Sequence, residues 1–280
     1  MQTSNRSRKN NEPIIEKLEP LEYLRRYLRV APLSLAIFRS IEAKNISTQD
    51  LKRPILDIGC GFGEFAGVFF NSQVEMGIDI SWKELINAQK IHRYQKLTWA
   101  DARELPFQTG YFNTVLSVSV LEHIDEVEKV LAEIYRVLKP KGKFIFTVNT
   151  NKINQMLFWP DVLERWNLTH WSRKYTGWYN HLFKHITLLN KSKWTELVEK
   201  SGFRIMEKRE IISPEATKLF DLFILTSWPS QIFKWIFGRR WAWRPLWFRN
   251  YLVKKYGWIV VREEVEGSNL FIVAQKPGKG

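Results

Sequence analysis

Short apolar runs alternate with amphipathic stretches from residue 54 onward. Seven runs have the length of strands: ILDIG (55–59), VEMGID (74–79), KLTWA (96–100), TVLSVSV (114–120), KFIFTVN (143–149), FRIMEKREI (203–211) and NLFIVAQK (269–276). Several segments between them, clearest at 125–138, place apolar residues at helical spacing. This alternation predicts βα units around a parallel sheet.

The first fifty residues predict a helical cover outside the sheet. Apolar residues recur at three- and four-residue intervals over 18–28 and 33–41, with a break near Pro32. The first dozen residues are polar and cationic, so we expect neither a signal peptide nor an N-terminal anchor. The predicted divisions are a tail and helical cover (1–53), a core (54–150) and a third part (151–280).

The last two predicted strands are separated by more than fifty residues, which is too long for a plain hairpin. We therefore predict an insertion at about 213–267. It contains six tryptophans: Trp228, Trp235, Trp241, Trp243, Trp247 and Trp258.

Composition is that of a folded protein, with 280 residues, 45% hydrophobic and 26% charged. The single cysteine, Cys60, excludes an internal disulfide and a thiolate metal cluster, so we expect a reducing, cytoplasmic location and no metal site. The formal net charge is +14. Residues 1–150 carry 21 Lys+Arg against 18 Asp+Glu, whereas residues 151–280 carry 22 against 11.

A glycine-rich turn follows the first strand, with glycines at 59, 61 and 63. Such a turn lets the backbone approach a ligand at a helix N-terminus. The dinucleotide fingerprint needs a further glycine at position 64, which is Glu64. Asp57 would repel a pyrophosphate but suits an ammonium group. Asp79, after the second strand, is placed for ribose hydroxyls, and Asp101 for an adenine edge.

Five motifs in order resemble the class I S-adenosylmethionine-dependent methyltransferases of the type 11 methyltransferase domain family. They are ILDIGCGFGEF (55–65), GIDIS (77–81), ADARELPF (100–107), YFNTVLSVSVLEHI (111–124) and EIYRVLKPKGKFIF (133–146). Asn113 replaces the usual aspartate and Lys141 a frequent glycine.

The resemblance implies a doubly wound, mostly parallel seven-stranded α/β sheet with S-adenosyl-L-methionine across the carboxyl ends of its strands. By this resemblance, the first strand and its turn hold the methionine part of the cofactor through Asp57, Gly59, Cys60, Gly61 and Gly63. The second strand holds the ribose through Asp79 and Ile80, and the third holds the adenine through Asp101 and Ala102. Ser117 and Val118 of the fourth strand line the far side of the cofactor.

Methyl transfer is an in-line displacement in which proximity and alignment supply most of the acceleration. A base is needed only where the acceptor loses a proton, and His123 is the candidate. The alternative for His123 is a structural or helix-capping role. His181 and His185 would reach one cleft if their segment were helical, with Tyr179 beside them. We take these three as candidate substrate residues, while structural histidines remain the alternative.

The insertion segment 217–258 alternates large apolar side chains with arginine and lysine. A transmembrane span at 219–237 would contain Asp221, Pro229 and Lys234 and is disfavoured. The remaining interpretations are an interfacial element at an anionic membrane surface, a subdomain packed over the sheet, and an RNA-binding patch.

We predict a methyltransferase acting on a small-molecule or lipid-linked acceptor, cytoplasmic with peripheral membrane association. The alternatives are an RNA methyltransferase using the basic C-terminal half and a non-catalytic membrane or partner scaffold. Nucleic acid ranks below the membrane surface because no RNA-binding module is recognisable in the sequence.

Overall fold

The computed structural model describes residues 13–224, 232, 244–263 and 266–278. Seven strands form one sheet in the order β3-β2-β1-β4-β5-β7-β6. The strands are β1 (Ile55–Ile58), β2 (Val74–Asp79), β3 (Tyr94–Trp99), β4 (Phe112–Val118), β5 (Leu138–Asn149), β6 (Arg204–Glu210) and β7 (Asn269–Gln275). The predicted seven-stranded sheet is confirmed.

Strands β1 to β5 pair in parallel, whereas β7 runs antiparallel to both β5 and β6. Strand β1 lies between β2 and β4, so the chain leaves this point toward opposite edges of the sheet. A crevice forms at such a switch point, beyond the carboxyl ends of the strands. The sheet order therefore places the glycine turn after β1 beside the end of β4.

Ten helices of six or more residues flank the sheet within the described residues. They are α1 (Pro20–Tyr27), α2 (Leu33–Ile46), α3 (Glu64–Phe69), α4 (Trp82–Gln89), α5 (Val127–Val137), α6 (Phe158–Arg165), α7 (Thr169–Leu182), α8 (Lys191–Lys200), α9 (Pro214–Leu222) and α10 (Leu246–Val261). Helices α1 to α4, α9 and α10 contribute to one hydrophobic core, and α5 and α8 to another. The N-terminal helices thus cover the sheet, and they separate at residues 28–32 as predicted.

The apolar periodicity of helix α5 determines which of its faces is buried. Its buried stripe is Val127, Val130, Leu131, Ile134 and Val137. The helix begins later than the predicted residue 125 because Glu126 has φ 49°, a left-handed conformation outside the helix. Lys141, where the family often has glycine, also has a left-handed φ of 64°. Position 141, within β5, therefore retains the glycine-type backbone.

The insertion between β6 and β7 contributes α9 and α10 among the described residues. Leu252, Val253, Ile259 and Val260 of α10 join the same core as the N-terminal helices. Lys44 of α2 donates to the carbonyl of Val260 at 2.8 Å, near the end of α10. The insertion is therefore partly a structural layer.

Four of the predicted insertion tryptophans, at positions 228, 235, 241 and 243, lie outside the described residues, as does most of 219–237. Within the described residues, no helix is both long enough and apolar enough to cross a membrane.

Candidate active site

Two adjoining cavities open at the carboxyl ends of the central strands. The first, of about 210 Å³, has the predicted ribose, adenine and base residues Asp79, Asp101 and His123 in its wall. The second, of about 220 Å³, has Asp57 and the start of the glycine turn in its wall. Gly59 lines both, so the cavities meet at the first glycine.

The glycine turn depends on missing side chains at two positions. Gly59 has φ +69°, and a Cβ there would lie 2.5 Å from Cγ2 of Val120. Gly61 has φ +52° and no heavy atom within 4 Å of its hypothetical Cβ, although it lines the second cavity. The first glycine therefore permits packing, whereas the second keeps the cavity open. Gly63 precedes α3 as its N-cap.

Asp79 fixes the turn from the neighbouring strand. Its Oδ2 accepts a hydrogen bond from the Gly61 amide at 2.8 Å, and its Oδ1 accepts one from the Ser81 amide at 2.8 Å. Asp79 also lines the first cavity, where a carboxylate can accept a hydrogen bond from a ligand hydroxyl. Asp79 can therefore hold the turn and a ligand together.

Asp57 is buried at the end of β1 and accepts a hydrogen bond from the Tyr94 hydroxyl at 2.6 Å. Burial raises the pKa of Asp57 to about 7, although the Tyr94 hydrogen bond acts in the opposite direction. Nearby Asp79 raises the pKa further, and Arg39 lowers it. A bound ammonium group would favour the ionised form of this carboxyl.

Asp101 is held by its neighbour Arg103. Asp101 accepts from the Arg103 amide at 2.8 Å and from the guanidinium Nη2 at 2.7 Å, and Arg103 also bonds Asp125 at 2.6 Å. These hydrogen bonds keep the pKa of Asp101 below its usual value. Asp101 stays ionised and able to accept from an amine.

His123 ends a short 3-10 helix after β4 and lines the first cavity. Its Nδ1 lies 3.1 Å from the carbonyl oxygen of Lys184. Because that oxygen only accepts, a neutral His123 carries its proton on Nδ1 and keeps a lone pair on Nε2. This tautomer is the one a general base at Nε2 requires.

The predicted substrate residues divide into two groups. His185 stacks on His123 at 5.6 Å, and the buried Tyr179 ring lies 5.9 Å from His185. Burial lowers the pKa of His185 to about 4, so this imidazole stays neutral. His181 is exposed on α7, which ends at Leu182, so no helix joins it to His185. The structure brings Tyr179 and His185 to His123.

The remaining predicted cofactor residues surround these carboxylates. Cys60 and Val118 line the second cavity, and Ile80 and Ala102 the first. Burial raises the pKa of the Cys60 thiol well above its usual range, so it stays protonated. Ser117 is fully buried at the end of β4.

Sequence reasoning missed Arg39 and Glu42 on α2. Arg39 lines the second cavity, and its Nη1 donates to Glu42 at 2.7 Å. Burial lowers the pKa of Arg39, but Glu42 and Glu64 outweigh it and the net pKa is raised. Glu42 also accepts from Ser119 at 2.6 Å and Thr147 at 2.8 Å. The available sequence signal was an oppositely charged pair, three residues apart, within a helix whose other charged residue is Lys44.

Known proteins match the same part of the chain. Residues 56–146 match the family model described as Methyltransferase domain. A ubiquinone/menaquinone biosynthesis C-methyltransferase of Desulfotalea psychrophila is 34% identical over 110 residues, covering 37% of this chain and 44% of that protein. A malonyl-[acyl-carrier protein] O-methyltransferase of Legionella pneumophila is 33% identical over 102 residues, covering 34% and 36%. The chain therefore spans less than half the length of these curated relatives.

A solved structure extends the similarity to the whole fold. The S-adenosylmethionine-dependent methyltransferase of Thermotoga maritima described as a possible histamine N-methyltransferase has a TM-score of 0.54 at 16% identity. The match covers 87% of this chain and 91% of that one. The matched domain and the seven-stranded sheet together show that the chain contains a class I S-adenosylmethionine-dependent methyltransferase domain.

Proposed function

We propose that this protein transfers a methyl group from S-adenosyl-L-methionine to a small-molecule or lipid-linked acceptor. One observation carries the proposal: two cavities meet at Gly59, the first lined by Asp79 and Asp101 and the second by Asp57 and Arg39. This arrangement complements an amino acid joined to a nucleoside. When bound, S-adenosyl-L-methionine supplies a methyl group activated on a sulfonium centre.

The donor's two charged ends match groups in the second cavity. Asp57 is placed for its ammonium group, and Arg39 for its carboxylate, since guanidinium donors suit carboxylates. In the first cavity, Asp79 would accept from the ribose hydroxyls and Asp101 from the adenine amine. Gly61 contributes the open space that such a ligand needs.

His123 is the candidate base at the acceptor side. Its Nδ1–H is directed to the Lys184 carbonyl, so Nε2 would take the acceptor's proton as the methyl group transfers. Stacking on the neutral His185 holds the ring plane, since the two rings lie within 12° of parallel. Where the acceptor needs no deprotonation, alignment alone would suffice.

A membrane surface suits the acceptor class that we propose. Helix α10 presents Trp247 and Trp258, 71% and 52% exposed, together with exposed Tyr251, Lys254 and Lys255. Residues 247, 251 and 258 lie on one side of a helix of 3.6 residues per turn. Aromatic rings beside lysines favour the headgroup region of an anionic membrane.

Calorimetric titration with S-adenosyl-L-methionine and, separately, S-adenosylhomocysteine tests the donor site. We expect both to bind wild type, and Asp79→Ala to weaken binding at least about tenfold, since a charged hydrogen-bonding group is lost. Asp50→Ala removes an exposed aspartate paired only at the surface with Lys52 and is the matched control. Wild-type protein that binds neither compound would contradict the proposed function.

Acceptor class is tested separately with the radiolabelled methyl donor. We expect label to enter lipid extracts or small quinone-like and acyl acceptors, and not RNA. Label found only in RNA would replace the acceptor assignment while leaving the donor site intact.

A further inference from the structure

An apolar shelf lies on α6 and α7, outside both cavities. It is a shallow depression of about 480 Å³. Its lining residues are Leu163, Leu168, Trp171, Lys174, Tyr175 and Trp178. Lys174 is the single charged residue in this lining, so the shelf is almost entirely aliphatic and aromatic.

The shelf faces solvent and is not a part of the hydrophobic core that has been left uncovered. Ser172 and Tyr179 on the adjoining face of α7 are buried, whereas Trp171 and Trp178 are 58% and 40% exposed. Residues 171, 175, 178 and 182 share one side of a helix with 3.6 residues per turn. Two tryptophans held in water on one helix face mark an interaction surface.

The shelf is connected by contacts to the candidate base. Tyr175 lies on the shelf, and Tyr179 one turn further along α7 packs 5.9 Å from His185. His185 in turn stacks on His123 in the first cavity. Exposed Ile186 follows, and its amide donates to the Glu122 carbonyl at 2.8 Å. Packed aromatic side chains, two of them histidines, thus connect the shelf to the rim of the cavity.

The basic residues around the shelf favour a negatively charged partner. The Lys174 Nζ lies 5.2 Å from the centre of the Trp171 ring, and Arg173 and Lys184 are exposed in the same stretch, whereas Arg165 is paired with Asp161 at 3.1 Å. The chain's formal net charge is +14, which opposes docking of a second copy. Unpaired bases would stack on the tryptophans but would leave the aliphatic part of the shelf without a partner.

We propose that the α6–α7 shelf docks on the surface of a membrane that contains anionic lipid. Trp171 and Trp178 would lie at headgroup level, with Lys174 close to the lipid phosphates. This inference rests on the proposed function, because it brings a membrane-dissolved acceptor to the cavity that holds His123. It adds a second contact, on a different element from α10.

Vesicle flotation of the full chain tests the shelf. We expect binding to phosphatidylcholine vesicles containing phosphatidylglycerol and much weaker binding to phosphatidylcholine alone. Trp171→Ala/Trp178→Ala should reduce the bound fraction at least about tenfold, and Trp82→Ala, which removes a tryptophan that is 66% exposed on α4, should not. Lys174→Gln should weaken binding about fivefold. Lys96→Gln, an exposed lysine on β3, is its control.

A fluorophore reports whether the shelf itself meets lipid. Cys60 is buried and is the single cysteine in the sequence, so an environment-sensitive dye attaches selectively to Leu182→Cys. Leu182 continues the shelf face at the end of α7. We expect a blue shift with anionic vesicles at this position and none for dye on Lys96→Cys.

Three results would overturn the shelf assignment. They are unchanged vesicle binding by the double tryptophan variant, absence of a blue shift at position 182, and concentration-dependent dimers that the double variant abolishes. Calorimetry with S-adenosyl-L-methionine on the same preparations keeps the outcomes separate. A shelf variant that binds the donor but not vesicles has a defect confined to the shelf. Wild-type protein that does not bind the donor would contradict the proposed function.

Discussion

At the scale of single residues, substitution of Gly61 distinguishes an effect on folding stability from an effect on ligand binding. We expect Gly61→Ala to lose S-adenosyl-L-methionine affinity by at least about tenfold, because the new Cβ enters the second cavity. The left-handed backbone costs roughly 1 kcal/mol of folding stability for alanine. Calorimetry and urea unfolding on the same protein measure the two effects.

Gly110→Ala is the matched control for this substitution. Gly110 has φ +68° and open space around its Cβ, but it lies outside both cavities. It should show the same cost in stability with unchanged donor affinity. Equal donor affinity in the two variants would contradict the assignment of the second cavity.

Asp57 makes stability depend on pH. Its pKa is raised to about 7 in the folded state from an ordinary value of 3.8. Between those pH values the folded state retains a proton that the unfolded state has lost, so stability falls as pH rises, by about 1.4 kcal/mol per pH unit. Below its ordinary pKa, and above pH 7, the titration of Asp57 no longer makes the folding stability change with pH.

Asp57→Asn should remove that slope. We expect the variant to gain stability relative to wild type at pH 7.5 but much less at pH 4.5, while donor binding weakens because the anion is lost. Urea unfolding of both proteins at the two pH values measures the difference. An equal difference at both would show that Asp57 titrates normally. The gain in stability and loss of binding together would identify a buried charge retained for its ligand.

At the scale of elements, periodicity located all seven strands, because buried strands read as apolar runs and a half-buried strand such as β6 alternates between apolar and polar residues. Helix ends were harder to predict. Helix α4 ends at Gln89 rather than the predicted His92, which has φ 54° outside the helix. Helices α6 and α7 were predicted only as part of the region 151–280, and the aromatic stripe at 171, 175 and 178 of α7 faces outward rather than into the sheet. The carboxylates of the site followed strand ends and were predictable.

The roles of Arg39 and Glu42 were not predictable in this way because the strand-end partners of Glu42 lie far along the chain. Glu42 joins α2 to the ends of β4 and β5 through Ser119 and Thr147. Helix propensity and periodicity carry no information on which strand end a buried side chain will meet. Contacts of this kind arise from tertiary packing, which local patterns do not encode.

Glu42→Gln tests this connection between helix and sheet. The amide can still accept hydrogen bonds, but it leaves the mostly buried Arg39 without its charge partner. We expect about 2 kcal/mol lower stability, together with weaker donor binding, because Arg39 loses its orientation. Glu22→Gln on α1, which breaks more exposed ion pairs, should change stability by less than about 0.5 kcal/mol. Equal effects in urea unfolding would remove Glu42 from this role.

At the scale of the whole molecule, the methyltransferase core and the basic C-terminal half are not independent parts. Most of the excess positive charge lies after residue 150, yet the same region supplies β6, β7 and α10. Strand β7 pairs with both β5 and β6, and α10 packs on α1 and α2. Among the described residues of the insertion, α10 therefore has one face packed into the fold and another on which Trp247 and Trp258 are exposed.

Deletion of residues 217–258 should consequently unfold the protein rather than trim a surface element. It removes Leu252 and Val253 from the core, together with Phe248 and Tyr256, which pack against it. Each buried aliphatic side chain contributes about 1.5–3 kcal/mol, so losing several approaches the stability of an ordinary domain. Trp247→Ala/Trp258→Ala alters only exposed rings and should keep the wild-type melting temperature and donor affinity. A deletion variant that melts like wild type would show that the insertion is a separate appendage. If the deletion variant is unfolded, the exposed face of α10 must be studied by point substitution.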